Sequence, residues 1–316
     1  MIKDITQEGR HNFKALITKA DQGKTNKNVP YLSLLLEDSS DVLDAKFWNL
    51  TEEQAASFKA GMVVQVKGDL IFHRNARQMR VLNMTVLPEE MAADYVRQAP
   101  MERSDMEKEM LALVDSLENS IIKNMVSALL EENRLNFLVY PAAVKNHHNY
   151  VGGLAYHTLS MARLAESVLA MYPYLNRDLL LAGILLHDLG KTIELSEPVL
   201  PEYTAAGNLL GHISLMSNLI DREAVRQKVE NTEEVMLLKH LILSHHGKME
   251  YGSPVVPMIP EAEVLTILDN LDARLVMMKD SIDQTLPGMF GPRVFALDNR
   301  MIYRRKDYID PEEQEG

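Results

Sequence analysis

The stretch LLLAGILLHDLGK, residues 179–191, decides the fold of the longer part of the chain. A helix over Leu179 to Leu186 is apolar on every side, and a helix apolar all round is a buried one. His187 and Asp188 at its end then become buried polar groups, which must be hydrogen-bonded, paired or metal-bound. Gly190 reads as the helix C′ residue, an arrangement that turns both side chains toward a cavity. Lys191, one turn on from Asp188, adds a cation suited to holding a phosphate oxygen as a point charge.

Working outward, apolar residues at helical spacing predict helices near 154–171, 207–221, 232–245 and 261–279, with the doublet helix at 178–189. Upstream, Ser104 and Glu107 form a capping-box pattern. Behind it Met106, Met110, Leu113, Leu117, Ile121, Met125 and Leu129 recur at helical spacing, the methionines read as core filler. Of the 10 histidines, all but His11 and His73 fall between His147 and His246, where even spreading would put roughly three.

The histidines and aspartates of interest stand at helix ends or inside apolar helices. His157 follows a Gly-Gly-Leu turn, His212 opens a helix, His245-His246 closes one, and Asp269 lies in a largely apolar helix. Imidazole and carboxylate ligands without thiolate suit Mn²⁺, Fe²⁺, Co²⁺ or Zn²⁺. His157, His187, Asp188, His212, His245, His246 and Asp269 are too many for one tetrahedral ion and fit two adjacent ions with one aspartate bridging. A two-ion site clamps the attacking and leaving oxygens of a phosphodiester, so the residues point to metal-assisted phosphoester hydrolysis.

The first ninety residues read differently. Phe13 to Ile17, Tyr31 to Leu36, Val42 to Trp48, Met62 to Ile71 and Met79 to Leu87 are short strands punctuated by Gly and Asn, with a helical insert near Glu52 to Ala60. Such strands fit an OB-type barrel. The expected organisation is a multidomain chain: an all-β barrel over 1–90, a linker over 91–103, an all-α domain over 104–280, and a C-terminal extension over 281–316. In that extension Asp298-Asn299 sits between two short strands, and the acidic end is expected to be disordered.

Composition narrows the function classes. The chain of 316 residues has 46% hydrophobic and 25% charged residues, the mix of a globular protein, and no cysteine, which excludes disulfides, thiol catalysis and Cys-based zinc sites. Lys and Arg number 33 against 45 Asp and Glu, for a net charge of −12. Residues 1–90 are charge-neutral, so the whole excess lies beyond them, and the barrel keeps local basic clusters such as Arg74, Arg77 and Arg80. The start MIKDITQEGR lacks a signal-peptide layout and no apolar run is long enough for a bilayer, so a cytoplasmic protein with no membrane partner is expected.

The ordered set H157…H187-D188…H212…H245-H246…D269 resembles the HD-domain metallo-phosphohydrolase superfamily. Within it, GGLAYHTLSMARLA, LLAGILLHDLGK, GNLLGHISL and LILSHHGKMEYGSPVVPM are similar to the YhaM-type 3′→5′ exoribonucleases, and the barrel and linker extend that similarity over nearly the whole chain. The resemblance implies an HD domain in which His157, His187, Asp188 and Asp269 hold one ion. It further implies that Asp188 bridges to a second ion held by His212, His245 and His246, with Mn²⁺ the favoured metal. Asp188 and Lys191 would be the catalytic residues, Lys191 contacting the scissile phosphate. Asp272, three residues after Asp269, is its rival for the ligand position, and the superfamily pattern favours the first of the pair. The implied substrate is single-stranded RNA, with single-stranded DNA as an extension, shortened from its 3′ end to nucleoside monophosphates.

In the barrel, Trp48, Phe72, Arg74 and Arg77 are the candidate nucleic-acid contacts, one of Phe47 and Trp48 facing outward because strand side chains alternate. His148 and Thr204 are candidate substrate contacts beside the metal site. A homo-oligomer is compatible with the edges of a small barrel. Two other functions remain open at this point: an HD phosphohydrolase of nucleotides or cyclic dinucleotides, and a nucleic-acid-binding protein with a vestigial metal site. Against the cyclic-dinucleotide reading, the histidine doublet continues as GKMEYGSP rather than into a GYP motif; against the vestigial one, no ligand position is visibly lost.

Overall fold

The computed structural model describes residues 1–144 and 148–308; His147 and the end 310–316, expected to be disordered, lie outside the described residues. Two compact units divide the chain, one made of residues 1–98 with 277–316 and the other of residues 99–276.

In the first unit, β1 (Gly9–Lys24), β2 (Pro30–Glu37), β3 (Val42–Phe47), β4 (Val63–His73) and β5 (Ala76–Val86) close into a barrel in the order β1-β2-β3-β5-β4. The β3–β5 pair is parallel and the others antiparallel, with α1 (Glu52–Ser57) between β3 and β4, which is the OB-type topology. Alternation drives it: Leu32, Leu34 and Leu36 of β2 point inward onto Ile17, Leu43, Ala45, Val64, Val66 and Met79. The first strand is far longer than the sequence pattern of Phe13 to Ile17 suggests. Its first half pairs with β4 and its second with β2, across an irregularity between Ile17 and Lys19, and this bend lets one strand close the barrel. Near the C-terminus β6 (Phe290–Val294) and β7 (Arg300–Tyr303) form the expected hairpin, turning through Asp298 and Asn299, both at φ 57°.

The second unit is helical: α2 (Arg103–Asp115), α3 (Ser120–Phe137), α4 (Gly153–Met171), α5 (Arg177–Leu186), α6 (Lys191–Glu194), α7 (Ala205–Gln227), α8 (Glu233–Ser244) and most of α9 (Pro260–Asp283). Every residue from Leu179 to Leu186 is buried, as an all-apolar helix requires, and α5 packs against α3, α4 and α8. Among the described residues no helix is long and apolar enough to cross a membrane.

The stripe from Met106 to Leu129 is two helices, because the Asn119 carboxamide accepts the first amides of α3 and Asp178 accepts those of Glu118 and Asn119, which ends the first run. Two local expectations fail for identifiable reasons. The Ser104–Glu107 capping box does not form; α2 starts at Arg103 and Glu107 pairs with Arg134 instead. Gly190 is not a left-handed C′ residue. It opens α6 at φ −59°, ψ −19°, and a Cβ there would lie 2.3 Å from the carbonyl oxygen of His212. Glycine permits that backbone contact and so sets the distance between the doublet and His212.

Candidate metal centre and barrel surface

Local structure fixes one nitrogen of each histidine. His187 and His245 cap α5 and α8, and each Nδ1–H donates to a carbonyl three residues back, Ile184 and Ile242, at 2.8 Å. His246 Nδ1 donates to the Tyr251 carbonyl at 2.7 Å. His212 follows Gly211, whose φ of 71° kinks α7, so it begins the second segment of that helix as expected. Its Nδ1 donates to Glu194 at 3.2 Å, and His157 Nδ1 donates to Asp272 at 2.7 Å. With each Nδ1 held, the Nε2 atoms turn toward one another. The rings of His157 and His187 lie 5.5 Å apart, those of His187 and His245 5.3 Å, and those of His212 and His245 5.6 Å.

The Nε2 atoms of His187, His212 and His245 and Oδ1 of Asp188 are buried and, among the described residues, have no hydrogen-bond partner. Native interiors leave few such atoms, and four in one place are the signature of a ligand sphere. Among the described residues, three sets of donors lie close enough together to hold an ion, one of them His148, His157 and Asp272. Ligand atoms of His157, His187 and Asp269 lie within 4.8 Å of one another, as do those of His212, His245 and His246. Asp188 stands between them, with Oδ2 3.2 Å from His187 and Oδ1 3.4 Å from His212 and 3.9 Å from His245. These nitrogen and oxygen donors, with Asp188 between them, could hold divalent metal.

Electrostatics favour ligation at His245, His246 and Asp188. Burial holds His245 well below the ordinary histidine range and lowers His246, so both rings are neutral with a free lone pair. Burial opposes ionisation of Asp188, yet Lys191, His187 and His212 bring its carboxyl well below the usual range; the Lys191 ammonium is 2.7 Å away. Burial would also lower His157, but hydrogen bonds to Asp269 and Asp272 outweigh it and raise the ring to about 9. Asp269 and Asp272 are pulled down correspondingly.

The two aspartates of α9 have separate places. Asp269 Oδ1 meets His157 Nε2 at 3.2 Å, on the side of His187, whereas Asp272 meets Nδ1 on the other side of the ring. His148, expected as a substrate contact, is 1% exposed and sits farther back, bonded to Asp272 and to the Tyr150 hydroxyl. Thr204 is the N-cap of α7: its hydroxyl accepts from Gly207 and donates to the Ile193 carbonyl, which occupies it structurally. Glu194, buried against His212, was not singled out from the sequence, since a glutamate one turn past Lys191 carries no distinguishing spacing there.

On the barrel, Trp48 is 40% exposed and stacks on Tyr31 with ring centroids 4.5 Å apart. Lys46 Nζ lies 5.8 Å from the Tyr31 ring centroid. Phe47 turns inward and packs toward Phe58, so Trp48 is the outward member of the pair. Arg74 is exposed at the β4–β5 turn, where Arg74 and Asn75 adopt positive φ, and Phe72 is half-buried before it. Arg77 departs from expectation. Its guanidinium is buried, 2.5 Å from Asp41 and 3.4 Å from the carbonyls of Ile2 and Ile5, so it holds the N-terminal segment and is withdrawn from any phosphate. Tyr31 was missed because a lone tyrosine opening a strand reads as ordinary β composition.

Residues 154–274 match the HD domain family. Those residues form a helical HD domain region, preceded by the OB-like barrel. The chain is also similar to three solved structures. The second OB-fold domain of replication protein A from Methanococcus maripaludis is 18% identical, over 29% of this chain and 96% of that one, with a TM-score of 0.24. The protein priB from Ralstonia solanacearum is 16% identical, over 25% and 97%, with a TM-score of 0.22. A mitochondrial single-stranded DNA-binding protein from S. cerevisiae is 13% identical, over 26% and 97%, with a TM-score of 0.21.

Proposed function

We propose that the protein is a cytoplasmic, metal-dependent 3′→5′ exonuclease that hydrolyses single-stranded RNA, and single-stranded DNA as a second substrate, to nucleoside monophosphates. The observation that carries the chemistry is the convergence of buried, unsatisfied Nε2 and Oδ1 atoms into two donor groups with an oxygen of Asp188 facing each. Two divalent ions, Mn²⁺ favoured, would there supply a nucleophilic water at neutral pH and stabilise the leaving oxygen of an in-line displacement. His157, His187, Asp188 and Asp269 would hold one, and Asp188, His212, His245 and His246 the other. Lys191, anchored on Asp188, holds a positive charge beside both groups for a non-bridging phosphate oxygen.

The polarity, the product and the preference for RNA rest on the resemblance to YhaM-type enzymes. The barrel supports a strand-like substrate. Trp48 over Tyr31 offers a surface for a base, and Lys46 and Arg74 offer charge to the backbone. A phosphohydrolase of free nucleotides needs no such surface. A time course with 5′-labelled single-stranded RNA and Mn²⁺ tests the proposal: products shortened stepwise from the 3′ end, absent with Asp188→Ala, are expected. An intact oligonucleotide beside a hydrolysed mononucleotide would replace it with the nucleotide-hydrolase reading.

A further inference from the structure

We infer that Asp272 and Glu194 are positioning residues, each dedicated to one of the two ion-binding groups, so that the affinities for the two ions are set separately. The inference rests on the two-ion part of the proposed function and deepens it.

The starting point is what backs each imidazole. His187, His245 and His246 give their Nδ1 protons to neutral backbone carbonyls. Only His157 and His212 give theirs to carboxylates, and these two belong to different groups. An anionic acceptor at Nδ1 fixes the tautomer, locks the ring and makes Nε2 a better donor, more so than a carbonyl does. Asp272 is itself braced: His148 Nε2 donates to the same Oδ2 at 2.7 Å, and the Tyr150 hydroxyl donates to His148 Nδ1 at 2.6 Å. Glu194 Oε1 also accepts the backbone N–H of His212 at 3.0 Å, so it grips both ring and backbone just past the Gly211 kink. Both carboxylates are buried.

His148, His157 and Asp272 are close enough to be a metal group in their own right. The hydrogen bonds oppose that: both rings already donate to the same Oδ2 at 2.7 Å, the length of a charge-assisted hydrogen bond, so this oxygen and one nitrogen of each ring are engaged with one another.

Calorimetric titration of the full chain with Mn²⁺ tests the inference. Wild type is expected to bind two ions. Asp272→Asn weakens one of them by about 10–100-fold and Glu194→Gln weakens the other by a similar factor. Each variant retains one wild-type constant, which doubles as proof of folding. On a His212→Ala background Glu194→Gln adds no further loss, whereas Asp272→Asn still adds its own. Two ions bound with unchanged constants in both variants overturns the inference and leaves the two-ion reading standing. A third ion lost only in Asp272→Asn overturns it by making Asp272 a ligand. Loss of both ions in either single variant overturns the separation, and a wild type that binds no ion overturns the inference together with the reading beneath it.

Discussion

In the helical unit, the atoms suited to chemistry are covered and aimed: His157, His187 and His245 are wholly buried, and a backbone carbonyl or a carboxylate fixes each ring. On the barrel, the candidate binding groups stand in solvent, with Trp48 and Arg74 projecting from a strand end and a turn. The difference follows from the ligand. An ion needs several donors around a point, which only a folded interior can hold against their preference for water. A flexible strand needs a long, forgiving surface of aromatic faces and charge. Substitutions in the first region should therefore switch function off, and those in the second should grade it.

The largest expected effect is Asp188→Ala, which removes a side chain whose oxygens face both donor groups. Turnover of labelled RNA should fall by on the order of 10³-fold or more, beyond the roughly 10–100-fold typical of a residue that only orients a ligand. A fall within that smaller range would show that Asp188 is not shared between ions.

Two arginines of the barrel sharpen the contrast between structural and functional charge. Arg77→Ala breaks a pair whose arginine is buried while Asp41 is partly open, so it should cost about 2–3 kcal/mol, less than a fully buried pair. The only tryptophan, Trp48, lies in the barrel, so urea denaturation followed by its fluorescence reads this directly. Arg74→Ala should leave that transition in place and reduce the slope of log affinity against log salt by about 0.7 for a single strand.

Trp48→Ala should weaken oligonucleotide binding by about 1–3 kcal/mol in an anisotropy titration while hydrolysis of a dinucleotide continues. Equal losses on both substrates would join the two regions that the comparison separates.

The smallest effect concerns pH and the metal-free protein. His157 is raised from 6.5 to about 9 by its aspartates, so its protonated form stabilises the fold fully below pH 6.5, and that contribution disappears as pH climbs through about 9. Thermal melts in chelator should accordingly move to lower temperature between these values. The shift should vanish with Mn²⁺ bound, since ligation replaces the proton at Nε2.

The candidate donor set of the helical unit was legible in sequence because such residues are rare in buried helices. Polar His187-Asp188 at the end of an apolar run, and histidines at successive helix ends, have few structural uses. The OB-like barrel was legible from alternating strands and turn residues. What sequence could not supply were relations between residues far apart along the chain. The separation of Asp269 from Asp272, three residues apart on one helix, depends on which nitrogen of His157 each one faces. Glu194 meets His212 only because Gly190 and the Gly211 kink bring the two together, and Arg77 is withdrawn from the surface because barrel closure buries it beside Asp41. Residue type and spacing determined which atoms could bind a metal and which strands would form. Tertiary structure decided which of those atoms face one another, because hydrogen-bond direction and burial exist only once distant segments have packed.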